Sequence, residues 1–441
     1  MTDTLAPLDW SSLAETDRDA LLRRPAQRDT ARLLEQAGRI VADVRARGDA
    51  ALREYTEKLD GVRLESFAVT EAEFRAAEAV LSAEQLSALK RAIGTVTRFH
   101  ETQSLEPVRV VTSPGVVCER MVVPLNAVGL YVPAGTAPLP STAIMLAVPA
   151  RIAGCPVRVM CTPPRPDGLA DPAVLTAARL CGVEQVFKLG GAQAVAALAY
   201  GTESVPKVDK IFGPGNSWVT AAKQIVAADA DGAALDMPAG PSEVLVIADE
   251  SANPEFVAAD LLAQAEHSED AQVVLVTTSS ALARDCIAAV ERQMAVLPRR
   301  KITQRSIGSS RVLVVTDLET AFDVSNRYAP EHLILQIEYP RRWLRRVRNA
   351  GSVFLGAWTP ETMGDYCSGT NHVLPTYGHA RAYSGLGVLD FVKHITVQEV
   401  SPEGLADLGL TARTLARLES LDAHANAVTV RLDAIAKGAG T

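Results

Sequence analysis

The sequence is poor in aromatic residues and has no cluster of basic ones. Phe, Trp and Tyr make up 5% of its 441 residues, so its core has to be built mainly from Ala, Val, Leu and Ile. Its 44 Lys and Arg residues are outnumbered by 52 Asp and Glu residues, which gives a net charge of −8. Because nonspecific binding to nucleic acids depends on clustered basic side chains, the composition predicts no nucleic-acid partner.

Signals for export and for membrane insertion are also lacking. The first residues, MTDTLAPLDW, contain neither a basic nor an apolar stretch, unlike a secretory signal. Residues 121–150 carry no charge, but five prolines and two glycines interrupt them. A lipid-exposed helix could not satisfy the backbone groups that these residues free. We therefore predict a strand, a turn-rich loop and a buried helix here, in a soluble, cytoplasmic protein without a membrane partner.

None of the six cysteines lies in a Cys-x-x-Cys pair. This spacing excludes a zinc ribbon and a thioredoxin-like redox motif. Most of the cysteines have apolar neighbours, so we expect buried, unreactive thiols in a reducing compartment.

The pattern of predicted elements divides the chain into four parts. Residues 1–120 are mainly helical, with periodic apolar positions over 31–59 and 71–101. Residues 121–240 and 241–380 each alternate short apolar strands with helices, which is typical of parallel strands joined by right-handed crossovers. Residues 381–441 form a C-terminal helical tail, reached through a loop-like stretch over 377–397. The predicted fold class is α/β, with two doubly wound Rossmann-like domains that suggest an internal duplication, and helical N- and C-terminal segments.

Glycine-containing loops adjoin several predicted strands of both α/β parts. They are GTAPLPST, GGAQ, FGPGN and PAGPSE. Sheets of this kind bind ligands outside the carboxyl ends of their strands, and a helix start offers backbone N–H groups to an anion. Neither a G-x-G-x-x-G nor a G-x-x-x-x-G-K-[ST] motif is present. Taken singly, such loops are more often simple turns, but four of them at strand ends together favour a ligand site.

Two groups of polar residues point to chemistry. Gln264 and His267 are three residues apart on a predicted helix, so both project from one face; a metal ligand or a structural histidine would fit this spacing. The segment MGDYCSGTNHVLPT holds Asp365, Ser368 and the pair Asn371–His372 in a stretch without helical periodicity. Such a polar loop is not a core segment.

Two further pairs of titratable residues are found. The segment ESLDAHANAV places Glu419 and His424 on a predicted helix, and YAPEHLIL places Glu331 beside His332 at a helix-to-strand junction. Glu331 and His332 could serve as an acid–base pair, although their spacing fits a solvated turn equally well.

Several long strings resemble the histidinol dehydrogenase family over nearly the whole chain. They are AQAEH, GPGNSWVTAAK, DMPAGPSEVLVIAD, APEHL, GSVFLG and GDYCSGTNHVLPT. The last one is far more specific than a glycine-rich loop. One departure is Ala134, which stands where the family pattern has a second glycine.

The resemblance implies a role for individual residues. It implies Glu331 and His332 as the catalytic acid–base pair. The implied Zn²⁺ ligands are Gln264, His267, Asp365 and His424. The implied substrate contacts are Ser242, His332, His372, Glu419 and the four metal ligands. The implied NAD⁺ contacts are Tyr131, Gln193 and Asn216.

The resemblance also implies an activity. It is the NAD⁺-dependent, four-electron oxidation of L-histidinol to L-histidine through histidinaldehyde, the last step of histidine biosynthesis, with one Zn²⁺ at each site. It further implies a homodimer in which the C-terminal tail crosses to the partner and completes a shared site. Two other readings of the residues are a zinc hydrolase that does not use NAD⁺ and a noncatalytic α/β ligand-binding module.

Overall fold

The computed structural model describes residues 5–24, 30–103, 105–134, 137–238 and 240–438. The chain divides into two compact units. The first consists of Met1–Gln103 and Leu125–Phe391, and the second consists of Ser104–Pro124 and Val392–Thr441.

The N-terminal part contains short and long helices, as the periodicity predicts. After strand β1 (Pro7–Asp9), it contains α1 (Glu15–Leu21), α2 (Thr30–Arg47), α3 (Asp49–Tyr55), α4 (Glu71–Ala79) and α5 (Ala83–His100). The amphipathic stretch over 71–101 is two helices, because Ser82 starts a new one. The Ser82 side chain accepts a hydrogen bond from the backbone N–H of Gln85. In return, the Gln85 side chain accepts one from the backbone N–H of Ser82.

A five-stranded parallel sheet follows. Its strands are β4 (Ala127–Tyr131), β5 (Val157–Thr162), β6 (Gln185–Lys188), β7 (Lys210–Phe212) and β8 (Ala234–Leu235). They lie in the order β6-β5-β4-β7-β8. The intervening helices are α6 (Pro140–Ile152), α7 (Pro172–Leu180), α8 (Gly191–Tyr200) and α9 (Ser217–Ala227). Helices α2, α3, α8 and α9 share one apolar core with this sheet.

The second parallel sheet has six strands. Besides β1 they are β9 (Glu243–Ala248), β10 (Gln272–Thr277), β11 (Arg311–Val314), β12 (His332–Gln336) and β13 (Ser352–Leu355). They lie in the order β1-β11-β10-β9-β12-β13. Its helices are α10 (Pro254–Ala265), α11 (Ser280–Met294), α12 (Arg300–Gly308), α13 (Leu318–Tyr328) and α14 (Glu361–Tyr366). Successive residues of β9 contribute to two different apolar cores, so both faces of the sheet are covered.

The second unit contains an antiparallel sheet that the sequence patterns do not predict. Strand β14 (Val392–Val400) pairs with β3 (Val116–Pro124), which pairs with β2 (Val108–Ser113). Part of the stretch over 377–397 is therefore a strand and not a loop. Its apolar residues do not alternate with period two, which is why the pattern was not that of a strand. Helices α15 (Pro402–Leu418) and α16 (Asp422–Ala436) complete this unit.

The uncharged stretch over 121–150 forms the end of β3, the strand β4, a loop and the largely buried α6. Over the described residues, no helix has both the length and the apolarity that crossing a bilayer requires. All six cysteines are free, and four of them are buried. Burial raises the pKa of the Cys286 thiol to about 12, as expected for an unreactive thiol.

Candidate active site

The predicted acid–base pair lies at the beginning of β12, in the interior of the six-stranded sheet. Helix α13 ends at Tyr328, and Ala329 adopts the left-handed conformation with φ 55°. This conformation is costly for a residue with a Cβ, and here it turns the chain sharply into Pro330. Glu331 and His332 follow directly and are 5% and 3% exposed. The alternative of a solvated turn is therefore wrong.

Glu331 is held by the neighbouring strand. Its Oε2 accepts a hydrogen bond from the backbone N–H of Glu243 at 2.9 Å. Burial raises the pKa of Glu331 to about 8, although the nearby His332 opposes this shift. A carboxylic acid with such a pKa can both hold and release a proton near neutral pH, as a general acid–base requires.

A buried ion pair fixes the strand that holds Glu331. Both oxygens of the Glu243 carboxylate accept hydrogen bonds from Arg24 at 2.7 Å. Arg24 also donates to the backbone oxygen of Tyr328 at 2.8 Å, just before the turn. The Tyr328 hydroxyl donates to Gln272 at 2.9 Å. The ends of β9 and α13 are thus joined by charge-assisted hydrogen bonds, which are stronger than neutral ones.

His332 is surrounded by carboxylates. Its Nδ1 lies 3.7 Å from Glu331 Oε2 and 3.8 Å from Glu361 Oε1, and its Nε2 lies 3.5 Å from Asp365 Oδ1. Burial lowers the pKa of His332, but the negative charges of Glu361, Glu331 and Asp365 outweigh it and hold the pKa well above its ordinary value. Nε2 has no hydrogen-bond partner among the described residues.

We expect a measurable consequence of the buried Glu331 for the metal-free protein. A carboxyl whose pKa is raised from 4.5 to about 8 on folding favours the folded state at low pH, and this contribution is lost as the pH rises through 8. Glu331→Gln should therefore gain roughly 1–3 kcal/mol relative to the wild type between pH 5 and pH 9. Thermal denaturation at both pH values measures the difference, with the exposed Glu338→Gln as control. An equal difference at the two pH values would contradict the burial argument.

Three side chains near His332 offer ligand atoms to one cation. His267, Glu361 and Asp365 each place such an atom within 4.8 Å of the others. The His267 side chain is partly exposed, but burial against neighbouring protein atoms still lowers the pKa of its imidazole. Burial raises the pKa of Asp365, but His332, His372 and His267 outweigh it and lower the pKa overall. Burial raises the pKa of Glu361 well above its usual range, against the effect of His332.

Gln264 lies on α10 one turn before His267 and is fully buried. Its side-chain amide fits its neighbours when the nitrogen faces Glu361 Oε1 at 3.0 Å and Oε2 at 3.3 Å. The same nitrogen lies 2.9 Å from His332 Nδ1 and 3.2 Å from the backbone oxygen of Glu243. In this orientation the amide oxygen is turned away from the carboxylate.

The residues present fit a divalent cation. Imidazole, carboxylate and amide oxygen are donors that Zn²⁺ accepts. Glu331, Glu361 and Asp365 are three neighbouring carboxyl groups, whereas the positive charge beside them comes from His332. A divalent cation held by His267, Asp365 and the Gln264 oxygen would add positive charge beside these carboxyl groups and would favour their ionised form.

The polar loop after α14 is anchored on the first α/β half. His372 Nδ1 contacts the backbone oxygen of Asp365 at 2.8 Å, and its Nε2 contacts the Thr142 hydroxyl of α6 at 3.2 Å. The Asn371 amide donates to the backbone oxygen of Met145 in the same helix at 2.8 Å. Burial lowers the pKa of His372. His372 thus connects the start of α6 to the backbone of Asp365.

The predicted NAD⁺ contacts lie around the five-stranded sheet. Tyr131 ends β4, and its hydroxyl accepts from the backbone N–H of Gly191 at 3.0 Å. Asn216 precedes α9, and its side chain accepts from the first backbone N–H groups of that helix. Gln193 is 1% exposed, and its Oε1 finds no hydrogen-bond partner in the described part of the chain. An unpaired buried amide oxygen fits a donor from a bound cofactor.

Glu419 and His424 belong to the second unit. They do not share a helix: Glu419 ends α15, Ser420 has a φ of 59°, and His424 lies in the first turn of α16. Both side chains are exposed. His424 is not part of the group formed by His267, Glu361 and Asp365.

Ser242, the remaining predicted contact, directly precedes β9 and is half-buried. It lies next to Glu243, whose backbone contacts both Glu331 and His332. These residues stand at the amino ends of β9 and β12, whereas the loop rule predicts ligands at carboxyl ends.

Glu361 is the residue that the sequence patterns miss. It lies one helical turn before Asp365 on α14, and side chains at this spacing share a face. That spacing is visible in PETMGDY, but a segment of this length between prolines and glycines gives too weak a period to predict a helix.

The comparisons with known proteins agree with one another. The family model for histidinol dehydrogenase matches residues 22–432. The histidinol dehydrogenase of Xanthomonas campestris pv. campestris is 57% identical over 425 residues, covering 96% of this chain and 98% of that protein. The one from Vibrio parahaemolyticus is 54% identical over 424 residues, covering 96% and 97%. A crystal structure of histidinol dehydrogenase from Elizabethkingia anophelis is 43% identical and superposes with a TM-score of 0.92, covering 99% of both chains. The chain belongs to the histidinol dehydrogenase family.

Proposed function

We propose that this protein oxidises L-histidinol to L-histidine with NAD⁺, through histidinaldehyde, at a zinc site in its first unit. The observation that carries the proposal is the buried pair Glu331–His332 beside the ligand group of His267 and Asp365. An acid–base pair is what removal of a hydroxyl proton and addition of water both require. The remaining steps follow from the position of each side chain.

Binding comes first. His267, Asp365 and the oxygen of Gln264 would hold the metal, together with His424. Bound Zn²⁺ would supply a Lewis-acid anchor for the nitrogen atoms of the substrate. Ser242, His372 and Glu419 would contact the rest of it. Fixing histidinol in this way would turn its carbinol carbon toward the hydride acceptor.

His332 serves the first oxidation. In the metal-free protein the neighbouring carboxyl groups keep the pKa of His332 high, and a divalent cation beside them would lower that pKa. The neutral ring could then take the hydroxyl proton at Nε2, which has no protein hydrogen-bond partner among the described residues. This requires the other ring proton on Nδ1, where the backbone oxygen of Glu243 lies at 3.2 Å. The amide of Gln264 then has both oxygens of Glu361 to donate to.

Glu331 serves the second oxidation. The aldehyde must gain water before it can lose another hydride, and a deprotonated carboxylate activates that water. Glu331 is fixed by the Glu243 backbone, so one oxygen stays oriented while the other is free to accept a proton.

NAD⁺ would accept a hydride in each oxidation, so two molecules are consumed for each histidinol. Tyr131, Gln193 and Asn216 would bind it at the carboxyl edge of the five-stranded sheet. Tyr131 ends β4 and Asn216 follows β7, and the strand order reverses between these two strands. Crevices at such positions bind nucleotides in this class of sheet. Ala134 does not have a positive φ, so a residue with a Cβ is not strained at this position.

We also propose that the regions 121–240 and 241–380 are two duplicated, doubly wound Rossmann-like domains. The strand orders support this, since β6-β5-β4-β7-β8 and β11-β10-β9-β12-β13 both run third, second, first, fourth, fifth. This is the order of one dinucleotide-binding fold. The edge strand β1 extends the second sheet.

We further propose a cytoplasmic homodimer in which the second unit completes the partner's site. The unit carries apolar side chains that its own fold leaves exposed, among them Val111 (60%), Leu415 (55%) and Leu418 (76%). Leu415 and Leu418 are three residues apart on α15 and so share one face of that helix, and an exposed apolar face is typical of a protein interface.

A mixing experiment tests the shared site. His332→Asn and His424→Ala chains should each be inactive alone. If His424 acts in the partner's site, mixed dimers contain one site built from intact parts, so activity should reappear after subunit exchange. Activity that stays at background in a sample shown to contain heterodimers would mean that His424 serves its own chain.

The proposed activity is tested by following the absorbance of reduced nicotinamide with histidinol and NAD⁺. Two molecules of NADH for each histidinol consumed are expected, with histidine as product. A stoichiometry of one, or turnover that does not need NAD⁺, would contradict the proposal. The hydrolase and ligand-binding readings predict no NADH.

A further inference from the structure

We propose that Glu361 is a positioning residue that fixes the side-chain amide of Gln264, so that the amide oxygen is the atom available to the metal. The inference rests on the proposed function, which makes Gln264 a ligand.

An amide differs from a carboxylate as a ligand, because only one of its two terminal atoms can bind a cation. Its oxygen can bind a cation, whereas its nitrogen carries two hydrogens and can only donate. The two orientations of a glutamine amide have nearly the same shape, so packing alone does not select one of them. The surrounding hydrogen-bond acceptors and donors have to make the selection.

Glu361 offers the amide more acceptor oxygens than any other neighbour. In the orientation that turns the Gln264 nitrogen toward Glu361, this nitrogen is 3.0 Å from Oε1 and 3.3 Å from Oε2. The backbone oxygen of Glu243, at 3.2 Å, is the other acceptor, because the proposed function places the ring proton of His332 on Nδ1. Both Glu361 and Gln264 are at most 1% exposed, so water does not compete for the amide.

The positions of the two residues in the fold support a dedicated role. Glu361 and Asp365 lie one turn apart on α14, and Gln264 and His267 occupy the last turn of α10 and the residues just after it. One turn of α14 thus supplies a proposed ligand and the residue that orients a second ligand on α10. Because Glu361 also lies in the group with His267 and Asp365, the competing role is that of a direct ligand.

Cobalt binding to the metal-free protein separates these roles. Co²⁺ affinity is measured by competition with a chelator, and the ligand set is followed in the visible Co²⁺ spectrum. Glu361→Ala should weaken binding by about 10–100-fold, as loss of a residue supporting a ligand does. Glu361→Gln keeps an acceptor oxygen and should stay within about 3-fold of the wild type, with an unchanged spectrum. In a Gln264→Ala background, Glu361→Ala should add less than about 3-fold, because its partner is already gone.

Asp260→Asn is the matched control. Asp260 is a buried carboxyl that accepts from the Gln336 amide at 3.2 Å, so the variant removes a similar group outside the ligand set and should bind Co²⁺ as the wild type does. Circular dichroism establishes that each variant is folded. If Glu361→Ala does not fold, Glu361→Gln decides alone: near-wild-type affinity supports positioning, and a loss beyond about 10-fold overturns it.

Additive losses in the double variant, a Glu361→Gln variant as weak as Glu361→Ala, or an unchanged affinity in Glu361→Ala would each overturn the proposal. Wild-type protein that binds no Co²⁺ would instead contradict the metal site itself, and the positioning role with it.

Discussion

Removal of divalent metal by a chelator is expected to lower histidinol turnover by at least about 100-fold, because in the proposed function the metal anchors the substrate. Zn²⁺ or Mn²⁺ should restore the activity. Unchanged turnover in a preparation shown by elemental analysis to be metal-free would contradict the assignment of the metal ligands.

A single ligand variant complements the chelator experiment. His267→Asn should lose metal affinity and activity while remaining folded, because the His267 side chain is partly exposed and contributes little to the core. His379→Asn is a suitable control, since this exposed histidine lies outside the ligand group. A His267→Asn protein that unfolds would show a structural histidine instead.

Substitution of Glu331 and His332 is expected to separate the two oxidations. His332→Asn should slow alcohol oxidation by about 10²–10⁴-fold, because proton removal from the hydroxyl loses its base. Glu331→Gln should slow aldehyde oxidation by a similar factor, because water is no longer activated. It should affect the first hydride transfer much less.

The measurement uses histidinol and histidinaldehyde as separate substrates, with initial NADH formation followed for each. Glu338→Gln, on the segment just after β12, is the control for a glutamate without a role. Equal losses on both substrates in both variants would show that the two residues act as one unit.

Glu331 and His332 show how much of the candidate site can be predicted from the sequence. Adjacent acid and base residues after a proline are visible in YAPEHLIL, but the spacing fits a solvated turn as well. Only the fold decides that the pair is buried, since β12 lies between β9 and β13. Their shifted pKa values depend on Glu361, Asp365 and Glu243, which are distant in the chain.

Helices and strands whose apolar residues recur with a clear period were predicted correctly, whereas elements with a weak period were missed. The helix–strand alternation of both α/β halves gave the class of fold, because burial of a parallel sheet on both faces imposes that pattern. Strand β14 was missed because most of it is exposed, which leaves its side chains free of the alternation that a buried face would require.

By itself the sequence determined the family, the α/β class and the identity of most candidate residues, since long motifs and periodic apolar positions are local properties. Tertiary structure alone decided which of these residues meet. It placed Glu361 beside Gln264 and His267, joined Arg24 to Glu243 next to Glu331, and set the proposed acid–base pair at the amino end of β12. These outcomes depend on contacts between residues far apart in the chain. The packing of whole helices and strands sets the direction of each side chain in such contacts, and this leaves no periodic pattern in the sequence.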